Sequence, residues 1–298
     1  MIGAVDIGGT KIAVGMLDRE GRILARREQP SGSDLTLPDG LRLIFAMLRE
    51  TAREAGGELE GLGVGCTGPV DALAGTLQRI EFLPTWQGCP LTAELQTAFG
   101  VTAFLENDAD AAALGELAWG AGRGAKRFIY VTVSTGIGAG LVLDGRLYRG
   151  VEGAHPEIGH HVIDPSGPLC SCGAHGCWES LAGGPALARR AGLPSALAVC
   201  QAAEGGDAAA LRAVEQEAYF LGLGIANLVT LYTPDVIALG GGVMRSRGLF
   251  WDKILQTIRE NCGLVPYEKT RLVPAQLGGD VGLAGAAQVW IKGSKPVD

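Results

Sequence analysis

The stretch that decides the fold is Ile2-Gly3-Ala4-Val5-Asp6-Ile7-Gly8-Gly9-Thr10-Lys11, which the apolar run Ile12 to Leu17 follows directly. Two short apolar runs separated by a glycine-rich turn predict two antiparallel strands. The turn brings backbone N–H groups, the Thr10 hydroxyl and the Lys11 ammonium around one point, which predicts an anion-binding nest. Asp6 is placed to hold a cation or its water shell. The spacing differs from that of a P-loop, so we expect a different phosphate cradle.

A similar pattern recurs in the second half of the chain. Phe128 to Val133 is followed by Ser134-Thr135-Gly136-Ile137-Gly138-Ala139-Gly140, and then by the apolar run that begins at Leu141. Aligning Asp18 with Asp144 places Ile7 on Val133 and Leu17 on Leu143. This weak internal duplication predicts one strand-turn-strand phosphate hairpin in each half. We expect the pair of turns to bind a nucleotide triphosphate.

Between residues 155 and 179 the chain concentrates metal-ligand side chains. Cys170, Cys172 and Cys177 follow closely after His160, and one His with three Cys is a known set for structural zinc. A disulfide is disfavoured because the cysteine count of 7 is odd and Cys-x-Cys strains badly as a bridge. We assign these four residues as ligands of a closed zinc site, with His161 and His175 as geometric alternatives to His160.

Two glutamates flank this cluster. Glu157 lies three residues before His160, and Glu179 lies two residues after Cys177. A zinc-fixed loop would hold both carboxylates rigidly as hydrogen-bond acceptors. Such a pair suits a ligand rich in hydroxyl groups, such as a sugar.

Three further segments lie where α/β proteins place ligands, at the ends of predicted strands. Gly68 is in the loop after the strand Leu62 to Cys66, and Asn107-Asp108 follow the strand Val101 to Leu105. Asp108 is either a helix cap or a general base, and the two readings have equal weight. Gly240, Gly241 and Gly242 would let a flat base or ribose approach the backbone. Asp280 is expected to cap a final helix from Val281 to Ile291.

Composition limits the class of protein. The chain has 298 residues, of which 47% are hydrophobic, 19% are charged and 47 are glycine, which is typical of a compact α/β protein and suits two domains. A net charge of −7 argues against a nucleic-acid partner. We see no secretory signal and no apolar run long enough to cross a bilayer, so we expect a cytoplasmic protein without a membrane partner.

Together these motifs resemble the ROK family of sugar kinases, repressors and open reading frames. The resemblance covers essentially the whole chain, through DIGGTK at 6–11, the Asn-Asp pair at 107–108, STGIGAG at 134–140, EIGH at 157–160, CSCGAHGCWE at 170–179 and LGGGV at 239–243. It implies an α/β, two-domain actin-like (ribonuclease H-like) ATPase fold. The implied domains are 1–118, joined by a C-terminal helix at about 281–298, and 119–280, which carries the zinc loop.

The resemblance also implies an ATP-dependent sugar kinase, most similar to a glucokinase, with Mg²⁺ and structural Zn²⁺. Asp108 resembles the general base that takes the proton from the sugar 6-hydroxyl. The implied sugar-binding residues are Gly68, Asn107, Asp108, Glu157, His160 and Glu179. Asp6 resembles the residue that helps to hold magnesium. The implied nucleotide-binding residues are Gly8, Gly9, Thr10, Lys11, Thr135, Gly136, Gly138, Gly240, Gly241 and Gly242.

The choice of sugar rests on branch-specific features. His155-Pro156 before EIGH resembles the fructokinase branch, whereas DIGGTK and the three cysteines resemble the glucokinase branch. Glucose is therefore the first choice, followed by fructose, mannose or an N-acetylhexosamine such as N-acetylmannosamine or N-acetylglucosamine. A non-catalytic sugar-sensing regulator is the alternative from another class. We expect no DNA-binding domain ahead of Ile2, and we expect a homodimer or homotetramer.

Overall fold

The computed structural model describes residues 1–293, and residues 294–298 lie outside it. The twelve strands of the described part are β1 (Ile2–Ile7), β2 (Lys11–Leu17), β3 (Ile23–Pro30), β4 (Gly61–Cys66), β5 (Val70–Asp71), β6 (Thr76–Leu77), β7 (Thr102–Asn107), β8 (Phe128–Val133), β9 (Ile137–Leu143), β10 (Arg146–Leu147), β11 (Val236–Gly240) and β12 (Arg271–Pro274). Its nine α-helices are α1 (Leu37–Ala55), α2 (Leu91–Phe99), α3 (Asp108–Trp119), α4 (Trp178–Ala182), α5 (Gly184–Ala191), α6 (Ala196–Glu204), α7 (Ala208–Tyr232), α8 (Trp251–Asn261) and α9 (Val281–Lys292).

The two larger sheets repeat one topology. The first has the order β3-β2-β1-β4-β7 and the second has the order β10-β9-β8-β11-β12. In the first, β1 pairs antiparallel with β2 and parallel with β4, which in turn pairs parallel with β7. Strand β8 begins 126 residues after β1 (128 minus 2), and β9 ends 126 residues after β2 (143 minus 17). This offset is the same as that of the predicted alignment of Asp18 with Asp144, so the two hairpins repeat as the sequence alignment predicted.

Contacts between Cα atoms divide the chain into two compact units. The first comprises 1–124, 140–156 and the described residues from 276 onward, and the second comprises 125–139 and 157–275. The predicted domains, 1–118 and 119–280, stay a prediction. The division by contacts differs from them in assigning 119–124, 140–156 and 276–280 to the first unit.

The core of the first unit is closed by helices on both faces of its sheet. Helix α1 buries Ile44, Met47 and Leu48 among the residues of one face. Helix α9 covers the other face, where Leu283 and Ala286 pack with Ile2. A side chain at Gly63 would lie 1.7 Å from the carbonyl oxygen of Ala286, so only glycine lets α9 approach β4 this closely.

Three predicted details of secondary structure are wrong. Helix α3 begins at Asp108 instead of Ala111, because Asn107 already caps it. The second strand of the second hairpin begins at Ile137 instead of Leu141. Asp280 precedes α9 without a capping side-chain hydrogen bond, and its carboxylate accepts a hydrogen bond from Arg26 at 2.7 Å instead. The predicted helix at about 281–298 is observed as Val281–Lys292, and the predicted residues 294–298 lie outside the described part.

Within residues 1–293, no helix is both long and apolar enough to cross a lipid bilayer.

Candidate functional site

The junction of β7 and α3 carries the predicted base. Asn107 is the N-cap, since its side-chain oxygen accepts from the backbone N–H groups of Ala109 at 2.8 Å and Asp110 at 3.4 Å. Asp108 is the first helical residue and is half-buried, with one carboxylate oxygen 2.9 Å from the N–H of Ala109. Because Asn107 supplies the cap, capping alone does not account for the aspartate at 108.

The second oxygen of the Asp108 carboxylate accepts a hydrogen bond from Thr67 Oγ1 at 2.5 Å. Sequence reasoning did not assign Thr67 a role. The register explains the contact: β4 and β7 are neighbours with Cys66 opposite Asn107, so the residue after each strand meets the other. Gly68 has a φ of +95° and accepts from the Asn107 side-chain amide at 3.3 Å. The signal that could have found Thr67 is its place at the carboxyl end of a buried parallel strand.

The predicted phosphate turn between β1 and β2 is a two-residue turn closed by a hydrogen bond from Gly8 N–H to Lys11 O at 2.9 Å. Neither Gly8 nor Gly9 has a positive φ, and added Cβ atoms would find no neighbour within 3.2 Å. Protein packing therefore does not require glycine at position 9, whereas a Cβ at Gly8 would lie a tight 3.3 Å from Lys11 O, and the space at Gly9 suits a ligand close to the backbone. Ser31 supports the turn by donating from Oγ to Gly8 O at 2.7 Å.

Lys11 differs from the expectation of an ammonium held at the centre of this turn. Its Nζ lies 2.8 Å from Glu28 Oε2 on β3, and both side chains are about half exposed. An exposed pair of this kind contributes little stability and exchanges readily. A role for Lys11 toward phosphate stays a proposal.

Asp6 lies at the end of β1 against the N-terminal end of α9. An added Cβ at Gly282 would be 2.2 Å from Asp6 Oδ2, so the absence of a side chain at Gly282 gives the carboxylate its room. Burial and, to a smaller extent, the nearby Asp108 raise the pKa of Asp6 to about 7, although Lys11 opposes this rise. A bound cation would remove this cost of burying a charge, so the site fits the predicted role beside magnesium.

The second predicted phosphate turn, between β8 and β9, borders a cavity of about 640 Å³ in the second unit. Thr135 of this turn and Gly242, which follows β11, both line the cavity. Arg189 and Arg245 line it as well. Its volume is sufficient for a nucleoside. Cationic and hydroxyl groups around an otherwise apolar space suit a phosphorylated ligand.

The three glycines at the carboxyl end of β11, Gly240 in the strand and Gly241 and Gly242 after it, have different reasons to be glycine. Added Cβ atoms would lie 2.6 Å from Tyr130 Oη at Gly240 and 2.3 Å from Val133 O at Gly241, whose φ is +91°. Gly242 meets only Ser134 Oγ, at 3.6 Å, and lines the cavity. Packing against β8 thus explains why Gly240 and Gly241 are glycine. The role of all three glycines in the approach of a nucleotide stays a proposal.

The four predicted zinc ligands come together in the second unit. The ligand atoms of His160, Cys170, Cys172 and Cys177 all lie within 4.8 Å of one another. Cys170 Sγ is 3.4 Å from His160 Nδ1, and Cys172 Sγ is 3.5 Å from Cys177 Sγ. Ligands of tetrahedral zinc with bonds of about 2.3 Å are about 3.8 Å apart, so this arrangement fits the ion.

The two alternative histidines make other contacts. His161 Nδ1 lies 2.6 Å from Ile158 O, and its Nε2 lies 3.2 Å from the side-chain amide of Asn227. His175 Nδ1 lies 3.1 Å from Gly167 O. Both rings are therefore held outside the cluster, which favours His160 as the nitrogen ligand.

The flanking glutamates differ in environment. Glu179 is half-buried at the start of α4 and accepts from the backbone N–H of Ile137 at 3.0 Å. Glu157 is exposed. Glu179 is thus fixed by a hydrogen bond to the residue that follows the second phosphate turn, and the role of both glutamates as sugar acceptors stays a proposal.

Comparison with known proteins identifies the family. The profile of the ROK family matches residues 2–293. A glucokinase of Streptomyces coelicolor is 34% identical over 96% of each chain. A xylose repressor of Bacillus spizizenii is 30% identical over 97% of this chain and 76% of the repressor, so relatives differ in activity.

Solved structures agree with the sequence relatives. The ROK hexokinase of Thermus thermophilus has a TM-score of 0.86 and is 37% identical over 98% of each chain. A ROK family glucokinase of Streptomyces griseus, solved with glucose and AMPPNP, has a TM-score of 0.80 and is 33% identical over 98% of this chain and 99% of that one. These matches confirm the predicted two-domain actin-like α/β fold. The chain belongs to the ROK family.

Proposed function

We propose that this chain transfers the terminal phosphoryl group of ATP to the 6-hydroxyl of a hexose, with glucose as its main substrate. The observation that carries the proposal is Asp108. It is a half-buried carboxylate at the carboxyl end of a parallel strand, it is not needed as the helix cap, and Thr67 orients it. The glucokinase relatives, one of them solved with glucose and an ATP analogue, support the choice of reaction.

In this proposal Asp108 accepts the proton of the sugar 6-hydroxyl as the hydroxyl oxygen attacks the γ-phosphorus of ATP. The bond between that phosphorus and the β,γ-bridging oxygen breaks, and ADP leaves. Positioning and charge neutralisation supply most of the rate of such a transfer. The proposed sugar-binding side chains and backbone groups are those of Gly68, Asn107, Glu157, His160 and Glu179.

The proposed nucleotide-binding residues lie in the two turns and around the cavity. Gly8, Gly9, Thr10 and Lys11 would bind phosphate at the first turn, as would Thr135, Gly136 and Gly138 at the second. Gly242 would lie beside the adenosine, in the 640 Å³ cavity that it lines. Asp6 would hold the hydrated Mg²⁺, which neutralises phosphate charge when bound.

We propose that His160, Cys170, Cys172 and Cys177 hold a structural zinc ion. The tight grouping of their ligand atoms supports this assignment. Four protein ligands close the coordination sphere, so the ion would fix the loop between Glu157 and Glu179 and take no part in the transfer. Cytoplasmic location and a homodimer or homotetramer stay predictions.

The test is a panel of sugars assayed for ADP release with ATP and Mg²⁺. We expect glucose to have the highest kcat/KM and the product to be glucose 6-phosphate. A tenfold higher kcat/KM for fructose, N-acetylmannosamine or N-acetylglucosamine would move the assignment to that sugar. Sugar binding without ADP release would favour the regulator, an alternative that the xylose repressor relative keeps open.

The Asp108→Asn variant tests the proposed base separately. Asn keeps the size of the side chain but cannot accept the hydroxyl proton. We expect a loss of about 10²–10⁴ in kcat with near-normal folding and glucose binding. More than half of the parent kcat in this variant would refute the assignment.

A further inference from the structure

A buried network of charges surrounds the strand-helix junction that carries Asp108. Glu106 is the next-to-last residue of β7 and Asp110 lies in the first turn of α3, and both are almost fully buried. Arg149 forms an ion pair with Glu106, and His155 Nδ1 lies 2.7 Å from Asp110 Oδ2. All four residues belong to the first unit. Sequence reasoning gave none of them a role.

Arg149 alone does not compensate both Glu106 and Asp110, so a protonated His155 would supply the second positive charge of the network. Glu106 and Asp110 are two carboxylates without access to water, and Asp108 adds a third within five residues of chain. Arg149 compensates Glu106. Burial raises the pKa of Asp110, and the hydrogen bond and the charge of His155 oppose that rise. A buried carboxylate is costly without a cation, so the remaining charge on Asp110 calls for an imidazolium at position 155.

The network is a poor choice if stability is its only purpose. Within the described residues, Asp110 Oδ1 and Arg149 Nε are buried and have no hydrogen-bond partner. Each unsatisfied buried polar group destabilises the folded protein. A set of apolar side chains of similar volume would often be as stable. What the charged set adds is a fixed geometry, because ion pairs in a dry environment admit few alternative arrangements.

The two cations come from one segment of chain, and the two carboxylates lie on either side of Asn107 and Asp108. Arg149 and His155 both lie between β10 and Glu157, and Glu106 and Asp110 are two residues from Asp108 in each direction. Each end of the Asn107-Asp108 dipeptide is therefore tied to the same segment by an ion pair. Rotation of α3 about the junction would have to break at least one of these pairs.

We propose that His155 is a positioning residue for phosphoryl transfer, acting through Asp110 to hold the β7–α3 junction so that Asp108 keeps one orientation. The proposal rests on the proposed kinase function and assigns a residue that shapes the rate of the same reaction. His155 touches neither sugar nor nucleotide in this scheme. Its effect falls on kcat, because a misplacement of a reacting group by about 1 Å can cost about 10²-fold.

The experiment compares His155→Gln, Asp110→Asn and the double variant. Gln cannot supply a positive charge, so His155→Gln leaves Asp110 uncompensated, and we expect kcat to fall at least tenfold with the KM for glucose within threefold of the parent. In the double variant the neutral amides need no counter-charge, so we expect kcat to return to within threefold of the parent. Rescue by a second substitution separates charge compensation from simple loss of packing.

A buried ion pair elsewhere gives the matched control. Glu217 on α7 is fully buried and accepts from Arg190 at 2.7 Å, far along the chain from the junction. Glu217→Gln should destabilise the protein toward urea but leave kcat within twofold. Urea unfolding of the His155 and Asp110 variants should likewise show a coupling between the two residues, and this readout does not depend on activity.

Two results would overturn the proposal: His155→Gln with more than half of the parent kcat, or a double variant no faster than His155→Gln. Failure of the proposed function would be distinct, since the parent protein would then phosphorylate no sugar in the panel. In that case the unfolding experiment would still show whether the His155–Asp110 pair exists.

Discussion

The carboxylate of Glu179 accepts a hydrogen bond from the backbone N–H of Ile137 at 3.0 Å. Glu179 follows the cysteine and histidine cluster, and Ile137 begins β9 directly after the second phosphate turn. The two loops are thus joined within the second unit by one charge-assisted hydrogen bond. Gly136 makes this possible, because a Cβ there would lie 2.2 Å from Glu179 Oε2.

Gly136→Ala should therefore displace the Glu179 carboxylate. The φ at this position is not positive, so alanine fits the backbone and the effect comes from the contact. We expect a rise of about tenfold or more in the KM for glucose, measured by coupled assay, with an unchanged melting temperature. Gly263→Ala is the control, since a Cβ there meets nothing within 4 Å. An unchanged KM in Gly136→Ala would show that the position of Glu179 does not matter for the sugar.

Thr67→Val should slow the reaction by removing the hydrogen bond to Asp108 while keeping the shape of the side chain. Hydrogen bonds to charged groups contribute about 1.5–3 kcal/mol, which corresponds to a loss of roughly 10- to 100-fold in kcat/KM. Thr67→Ser retains the hydroxyl and should keep most of the activity. Equal rates for the valine and serine variants would contradict a role for this hydrogen bond.

Cys172→Ala should remove the metal. Cys172 is exposed, so the substitution opens no cavity and its effect comes from the lost ligand. Measured by inductively coupled plasma mass spectrometry, the parent should contain about one zinc per chain and the variant little zinc. Glucose affinity should fall with it by about 10- to 100-fold, because the loop that carries Glu157 and Glu179 loses its anchor.

Ser171→Ala is the control, because Ser171 lies between two of the proposed ligands without being one. This variant should keep both the zinc and the affinity for glucose. Full glucose binding by a zinc-free protein would exclude the anchoring role.

Glu217 predicts how stability depends on pH. Burial raises its pKa from the ordinary value of 4.5 to about 7, although Arg190 opposes this rise. Between these values the native protein binds more protons than the unfolded chain, so the free energy of unfolding falls as the pH rises. Glu217→Gln should make this fall less steep by up to about 1.4 kcal/mol per pH unit, in urea titrations at pH 5, 6 and 7.

Glu215→Gln is the control, because Glu215 is exposed on the same helix. This variant should leave the slope of the free energy of unfolding against pH unchanged. Identical slopes for the parent and Glu217→Gln would show that Glu217 does not titrate in this range.

Patterns local in sequence predicted the two hairpins, and the resemblance to the ROK family supplied the fold that contains them. The apolar runs and the glycine turns indicate both hairpins, and the alignment of Asp18 with Asp144 reproduces the observed register of 126 residues. The cysteine spacing likewise indicates the cluster that the structure brings together. In each case the residues that matter are close together in the chain.

Contacts made across the fold were not predicted. The bond between Thr67 and Asp108 depends on the neighbouring places of β4 and β7 in the sheet, which the sequence does not show residue by residue. The pair of His155 and Asp110 joins positions 45 residues apart. For Asp280 the local pattern predicted a helix cap, but the side chain accepts a hydrogen bond from Arg26 on β3 instead.

The place of α9 constrains how the protein can be made. Residues 281–292 belong to the last part of the chain, yet they cover one face of the sheet that begins at Ile2. During synthesis one apolar face of the N-terminal sheet therefore stays uncovered until the whole of the second unit has been translated. The second unit is complete by residue 275, so it can form its own contacts first. A chain truncated before α9 would leave one apolar face of the first sheet exposed to solvent, and such a chain would be prone to aggregate.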